Sequence, residues 1–389
     1  MKRIGIFVTA LLIVVSGVFA QKLVVISNNS NLNRKGEIVD VKASCKKSYI
    51  ITTSVVLKNE RNEEVPYQLI YNDKKEIQGL IFQADVKAKS IAKYTITEGK
   101  PALVASKTFA RFVPERKDDF AWENDLAAYR MYGPALANEN PSNGVDFWAK
   151  NTDMLIVDEF YAGLKEGLSY HKDRGHGLDF YKVAHTLGCG GIAPYTFDSL
   201  WIGNHFNSYK VIENGPLRSV FTLTYDSVKV ENEFYKETIT ITTCAGSPLN
   251  KATVSYTGKT KKMQLATGIV LHDYNKGLLS QSFTKLFADN SKKVQTGSSG
   301  VLCYAEEAIS EYNEPSGRNY VGVFNPIATE IIKKNGHAFL LSDYIVGTSF
   351  TYYFGGGWSN WKFPTDADWL KAVTEFSVKA GNPLKVNLK

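Results

Sequence analysis

The sequence predicts an all-β-dominated fold, mainly antiparallel and built as sandwiches. Three observations predict it. Strand-type runs rich in β-branched and aromatic residues recur along the chain, separated by polar turns. Only one segment carries convincing helical spacing. The chain shows no repeat of fixed period and no low-complexity tract.

Taken in order, Leu23–Ile26 and Tyr49–Leu57 are apolar and β-branched, and Leu80–Val86 and Tyr94–Thr97 follow after polar turns. These runs predict a small N-terminal sandwich-like region over residues 21–105, with a hinge at Gly99-Lys100-Pro101. A strand is expected from Leu217 to Tyr225, where Phe221-Thr222-Leu223-Thr224-Tyr225 alternates and so has one buried face. Glu237–Thr242 alternates almost perfectly, with a hairpin-like partner at Ala252–Tyr256. Near the end, Phe350, Tyr352 and Phe354 share one face of a strand. Asp366–Phe376 is the one good helix, with Trp369, Leu370, Val373 and Phe376 at helical spacing after the capping run Pro364-Thr365-Asp366. Residues 106–389 suit one large two-sheet sandwich.

The first twenty residues have the form of an export signal. Lys2 and Arg3 precede an apolar run from Ile4 to Val15, and Val18-Phe19-Ala20 is a small-x-small cleavage site. The expected mature chain begins at Gln21 and holds 369 residues, 389 less 20. Export places it in the periplasm, and no later segment is apolar enough to span a bilayer. The formal charge of +7 falls to +5 when Lys2 and Arg3 leave. That charge is dispersed, with no basic block to track phosphates, so nucleic acid is excluded as a partner. A mild positive charge suits an anionic substrate. Cys45, Cys189, Cys244 and Cys303 lack the paired spacing of a zinc site; disulfides or buried free thiols both fit.

The densest chemistry lies in Tyr170-His171-Lys172-Asp173-Arg174-Gly175-His176-Gly177-Leu178-Asp179-Phe180-Tyr181, followed by His185. Glycines keep this run from being a long helix. Interleaved imidazoles, acids and phenols suit proton transfer; a solvated polar loop is the competing reading. A second cluster, Trp122-Glu123-Asn124-Asp125 with Tyr129-Arg130, reads as one strand presenting Asn124 and Arg130 together to hold a carboxylate, or as a surface strand with charge pairs. Gly355-Gly356-Gly357-Trp358 reads as a flexible loop placing an indole against a sugar ring. His272 ends an apolar strand; with His171, His205 and His337 it could supply ligands to a divalent ion such as Zn²⁺ or Ca²⁺. No sequential metal, phosphate-loop or serine-hydrolase motif is present.

The chain resembles the secreted bacterial proteins grouped as domain of unknown function 4861. The resemblance rests on Phe109–Arg116, Trp122–Asp125, Tyr129–Pro134, Tyr170-His171 with Asp173 and Gly175, Gly177–Asp179 with Tyr181, and Thr186–Gly188. It implies polysaccharide utilisation, notably in Bacteroidetes, and a galactose-mutarotase-like β-supersandwich. One similar group acts as an oligosaccharide dehydratase on uronic-acid-ended ulvan fragments. His176 departs from that family's pattern, where an acid is common.

The activity implied is β-elimination at a uronic acid. A base removes the proton at C5, the C4 substituent leaves, and the carboxylate must be neutralised meanwhile. His171, Tyr170 and Tyr181 are the expected base and acid, with Asp173 or Asp179 orienting the imidazole. Arg130, Asn124, Glu123, Arg174, Trp358 and His272 are the expected substrate contacts, with a metal ion as a substitute for the cationic group. A glycoside hydrolase or epimerase using paired acids such as Glu123 and Asp179, or a non-catalytic carbohydrate-binding protein, are the alternatives.

Overall fold

A computed structural model describes residues 21–43, 51–138, 144–272, 300–309 and 315–389. The expected leader, Cys45 and the start of the strand expected at Tyr49-Ile50 lie outside the described residues. The fold is all-β dominated, a β-supersandwich carrying a smaller sandwich at its N-terminal end.

The small sandwich pairs two antiparallel sheets. One runs Lys385–Leu388, Lys22–Ser27, Ile91–Glu98, Val55–Lys58; the other runs Arg34–Lys42, Ile77–Val86, Tyr67–Tyr71. Alternation explains it: every second residue of Lys22–Ser27 is buried, and Val24, Ile26, Phe82 and Ile96 meet in one core. Each such side chain contributes roughly 1.5–3 kcal/mol on burial. The strand Lys385–Leu388 departs from the expected division at residue 105. It crosses back to pair with Lys22–Ser27, so the end of the chain seals the N-terminal sheet.

The large sandwich has a seven-stranded sheet in the order Ser208–Asn214, Arg218–Val230, Glu233–Cys244, Asn250–Thr257, Phe350–Trp358, Pro315–Phe324, Val301–Ile309. Two five-stranded sheets lie against it. The first runs Gly177–Asp179, Asp146–Lys150, Ala127–Met131, Asp119–Asn124, Thr108–Val113. The second runs Ser199–Leu200, Cys189–Thr196, Lys262–Val270, His337–Ile345, Glu330–Lys334. A bridge between Val145 and Gly188 links them edge to edge. One core crosses all three sheets, with Trp122, Tyr129, Phe147, Phe221, Leu265 and Phe354 in it.

Helix α2 (Asp366–Gly381) starts where expected and ends five residues later. Thr365 and Asp368 form a reciprocal capping box, and Trp369 and Val373 are its buried residues. Helix α1 (Val157–Lys165) was not expected from spacing; it covers the outer face of the first five-stranded sheet through Phe160 and Tyr161. The triglycine run is a strand, not a flexible loop. A side chain at Gly356 would lie 2.6 Å from Phe147, and one at Gly357 would lie 2.6 Å from Phe363, so the glycines serve close packing. Among the described residues no helix is long and apolar enough to cross a membrane.

Candidate functional site

Asp119–Asn124 and Ala127–Met131 form a hairpin turning at Asp125-Leu126, so the single strand read across this segment does not exist. Cross-strand pairing sets the outer face residue by residue: Ala121, Arg130 and Asp146 stand opposite one another, and Glu123, Ala128, Trp148 and Asp179 form the next rung. This face sets charged side chains among the apolar Ala121, Ala128 and Trp148, and α1 covers it.

Arg130 is buried at its centre. Its guanidinium donates to the Asp146 carboxylate (2.8 Å), the Asp179 carboxylate (2.8 Å), and the Tyr170 and Tyr132 hydroxyls (3.1 Å each). It also lies over the Trp148 ring at 5.1 Å. Arg116 meets Asp119 at 3.4 Å beside this group. Two guanidiniums thus face three carboxyls. Burial and the neighbouring Asp146 push the Asp179 carboxyl well above its ordinary range, against the pull of Arg130. Burial likewise raises Asp119.

Arg130 therefore spends its donors inside the protein, and the expected substrate contact is corrected: it is a buried strut. The same holds for its expected companions. Asn124 donates to the Cys244 and Ser247 carbonyls and accepts from the Leu126 and Ala127 amides. Glu123, fully buried, pairs with Lys150 at 2.8 Å and accepts from the Ile156 and Val157 amides, capping α1 from a distant strand. With Glu123 and Asp179 both buried against cations, the paired-acid arrangement of a glycosidase is not formed by them. Trp358 is buried, its indole N–H donating to the Ser316 carbonyl at 2.6 Å, so it packs within the sandwich and offers no open stacking face.

The histidine run crosses the edge of this layer. Asp173 accepts from the Gly175 and Gly177 amides and shapes the loop; it does not orient an imidazole. His171 is about one-third exposed (32 %) and packs on Tyr170, ring centroids 4.6 Å apart. Its Nδ1 lies 2.7 Å from the main-chain carbonyl of Asp179. A carbonyl only accepts, so Nδ1 carries a proton and Nε2 is the basic nitrogen of the neutral ring. Arg174 is exposed three residues on, its guanidinium lying against Gly163 of α1. His176 meets the Glu159 carboxylate at 2.9 Å.

Beyond the edge strand, Phe180–Lys182 leads inward. Tyr181 is buried, its hydroxyl has no hydrogen-bond partner among the described residues, and its ring lies edge-on to His272 at 5.1 Å. Burial holds Tyr181 firmly as the phenol. His272 offers Nδ1 to the Glu306 carboxylate (2.9 Å) and Nε2 to the Lys182 carbonyl (2.6 Å). Both neighbours are acceptors, so both nitrogens carry protons. Burial acts to lower its pKa, but hydrogen bonding and attraction to Glu306 prevail and raise it. His337 contrasts: Nδ1 faces the Asn335 carbonyl while Nε2 accepts from the Leu187 amide, and burial lowers its pKa.

Sequence spacing did not reveal Glu306, which completes the His272 pair from a strand 34 residues away. Burial raises the thiols of Cys189, Cys244 and Cys303, and all three are unbridged. Among the described residues no three His, Cys, Asp or Glu side chains gather as a metal site, so the expected histidine ligand set is not assembled there.

Fold and site together define a two-sandwich β protein whose titratable groups converge on one loop, residues 170–188. The chain belongs to the family described as Domain of unknown function (DUF4861), whose model matches residues 26–386. It is similar to Uncharacterized protein P7 of Formosa agariphila, 29% identical over 327 residues, which span 80% of this chain and 78% of that protein. Among solved structures it is similar to an alpha-mannosidase from Enterococcus faecalis V583 and to a protein in the Glycosyl Hydrolase Family 38 from Enterococcus faecalis. Both show TM-score 0.44 and 9% identity, covering 95% of this chain. The chain spans under half of either, 46% and 47%, and a likeness that remote says nothing of a substrate.

Proposed function

We propose that the protein is an exported, periplasmic carbohydrate-active enzyme that performs β-elimination at a uronic acid residue of an anionic oligosaccharide such as an ulvan fragment. Its class is carbon–oxygen lyase, either dehydratase or polysaccharide lyase. The observation that carries the reading is His171: a partly exposed imidazole whose Nδ1–H is fixed on the Asp179 carbonyl, which makes Nε2 its base. Exposed Arg174 lies three residues away and takes the carboxylate-binding role that buried Arg130 cannot fill.

In this scheme Nε2 of His171 takes the C5 proton. The C5–H electrons become the C4=C5 π bond and the C4–O bond breaks. Arg174 pairs with the carboxylate and stabilises the enolate-like charge. The departing oxygen takes a proton from solvent and leaves as water or as a sugar. His171 then gives its proton back to solvent, and Tyr181, buried in the core, takes no part. The paired His272 and Glu306 hold the Lys182 carbonyl and so fix the loop. Both imidazoles bind carbonyls of the stretch Asp179–Lys182, and three residues of chain separate those carbonyls by at most about 11 Å. No step needs a metal ion.

The test is ultraviolet absorbance of the mature protein with uronic-acid-ended oligosaccharides, with and without a chelator. A rising enoate signal, lost in His171→Ala, supports the scheme; loss of one water marks a dehydratase and chain scission a lyase. A flat trace over a broad panel of uronate oligosaccharides refutes it.

A further inference from the structure

A concave pocket of about 300 Å³ opens beside the same loop, at the small end of the usual range for small-molecule sites (about 300–1,000 Å³). Pro134, Ala137, His185, Asn204, His205 and Asn207 line it. The Asn207 side-chain carbonyl accepts from the Asp226 amide at 2.7 Å, leaving its NH₂ as a donor. Asn204 is exposed, and its side chain makes no hydrogen bond among the described residues. Gly203 and Asn204 also line a narrow inner cleft of about 20 Å³, room for about one water. At its end sits Glu237, buried with Tyr225 and Tyr352.

We propose that this pocket binds one uncharged sugar residue. Choosing a sugar over another small polyol rests on the function proposed above. The charge of the ligand rests on the pocket itself. Among the described residues no lysine or arginine lines it, so a carboxylate or sulfate would be desolvated there without a compensating cation. Glu237 behind it would repel an anion whenever ionised. The Asn204 and Asn207 amides supply donors and an acceptor together, as vicinal hydroxyls require. Pro134 and Ala137 offer a small apolar surface to a ring face. His185 lies three residues beyond Lys182, whose carbonyl anchors His272.

The experiment is saturation-transfer NMR and calorimetric titration of the mature protein with neutral pyranoses (glucose, xylose, rhamnose) and with glucuronate. Any glucuronate binding survives Ala137→Trp, and at least one neutral sugar binds at this pocket. Asn204→Ala weakens that binding about tenfold, the scale of one or two lost hydrogen bonds, and Ala137→Trp, which fills the pocket from an exposed position, abolishes it. His171→Ala leaves it unchanged, which separates this site from the elimination scheme. Neutral-sugar binding with no elimination overturns the scheme and keeps the pocket. Glucuronate binding that Ala137→Trp abolishes, no neutral-sugar binding, or neutral-sugar binding indifferent to both pocket variants overturns the pocket.

Discussion

Glu237 sits inside the large sandwich with no cation of the described residues to pair with. Its neighbours there are tyrosines, 225, 256 and 352. Burial pushes its carboxyl from the ordinary 4.5 up to about 8, with the Tyr256 hydroxyl offsetting part of the rise. The folded protein then holds a proton between those two values that the unfolded chain has released. Stability must fall as pH rises through this window and level off above it. At 1.36 kcal/mol per pKa unit the fall has a ceiling of about 5 kcal/mol. The tyrosines do not blur the window, because burial lifts their pKa values as well. Glu237→Gln imitates the protonated acid and removes the titration. The assay is urea unfolding at pH 5, 7 and 9, followed by tryptophan fluorescence. All six tryptophans (122, 148, 201, 358, 361 and 369) lie outside the N-terminal region, so the signal reports the large sandwich. The variant should match the wild type near pH 5 and exceed it by several kcal/mol at pH 9. A difference constant within ~0.5 kcal/mol across that range, the scale of a neutral surface change, refutes the assignment of a buried, unpaired acid.

Three further outcomes follow from the site. Lys150→Met leaves the fully buried Glu123 without its cation and should cost about 3–5 kcal/mol in the same unfolding assay, with Glu123→Gln in the same chain recovering much of it; a loss under ~1 kcal/mol would show the pair to be solvated. Tyr181→Phe removes a buried hydroxyl that has no partner among the described residues, so stability should hold or rise in the same assay; a stability loss above ~1 kcal/mol would reveal a hydrogen bond. His272, with its folded pKa raised by Glu306, contributes stability that is fully present below about 6.5 and is lost as pH rises through the folded value. Relative to His272→Gln, the wild type should therefore lose stability as pH rises above the ordinary imidazole value, and parallel pH profiles would sink that reading.

Much of the fold was legible because strands announce themselves locally. Phe350, Tyr352 and Phe354 share a buried face as alternation requires, and Ile239 pairs with Val254 in the expected hairpin. The capped helix at Asp366 was equally local. Pairing across the chain was not: nothing in Lys385–Leu388 says that its partner is Lys22–Ser27. Glycine misled at 355–357, since a residue without a Cβ serves a mobile loop and a tight packing contact equally well, and only the Phe147 and Phe363 rings decide between them.

The candidate site divides along the same line. The histidine run was visible because its chemistry is contiguous, and Tyr170, His171, Asp179 and Tyr181 do meet the same short stretch of loop. Glu123, Asn124 and Arg130 were misassigned for a physical reason. A strand face bearing charges at alternate positions reads identically whether it faces water, a ligand or a helix. What decides is the cover, and here α1 closes over the face. Covering it required every charge to find a partner: Arg130 its aspartates, Glu123 its lysine and two helix amides. A strand that could bind a carboxylate in isolation has thus had its binding capacity consumed in holding the helix. The groups that keep contact with solvent are His171, one-third exposed, and Arg174, exposed beside α1 at the layer's edge.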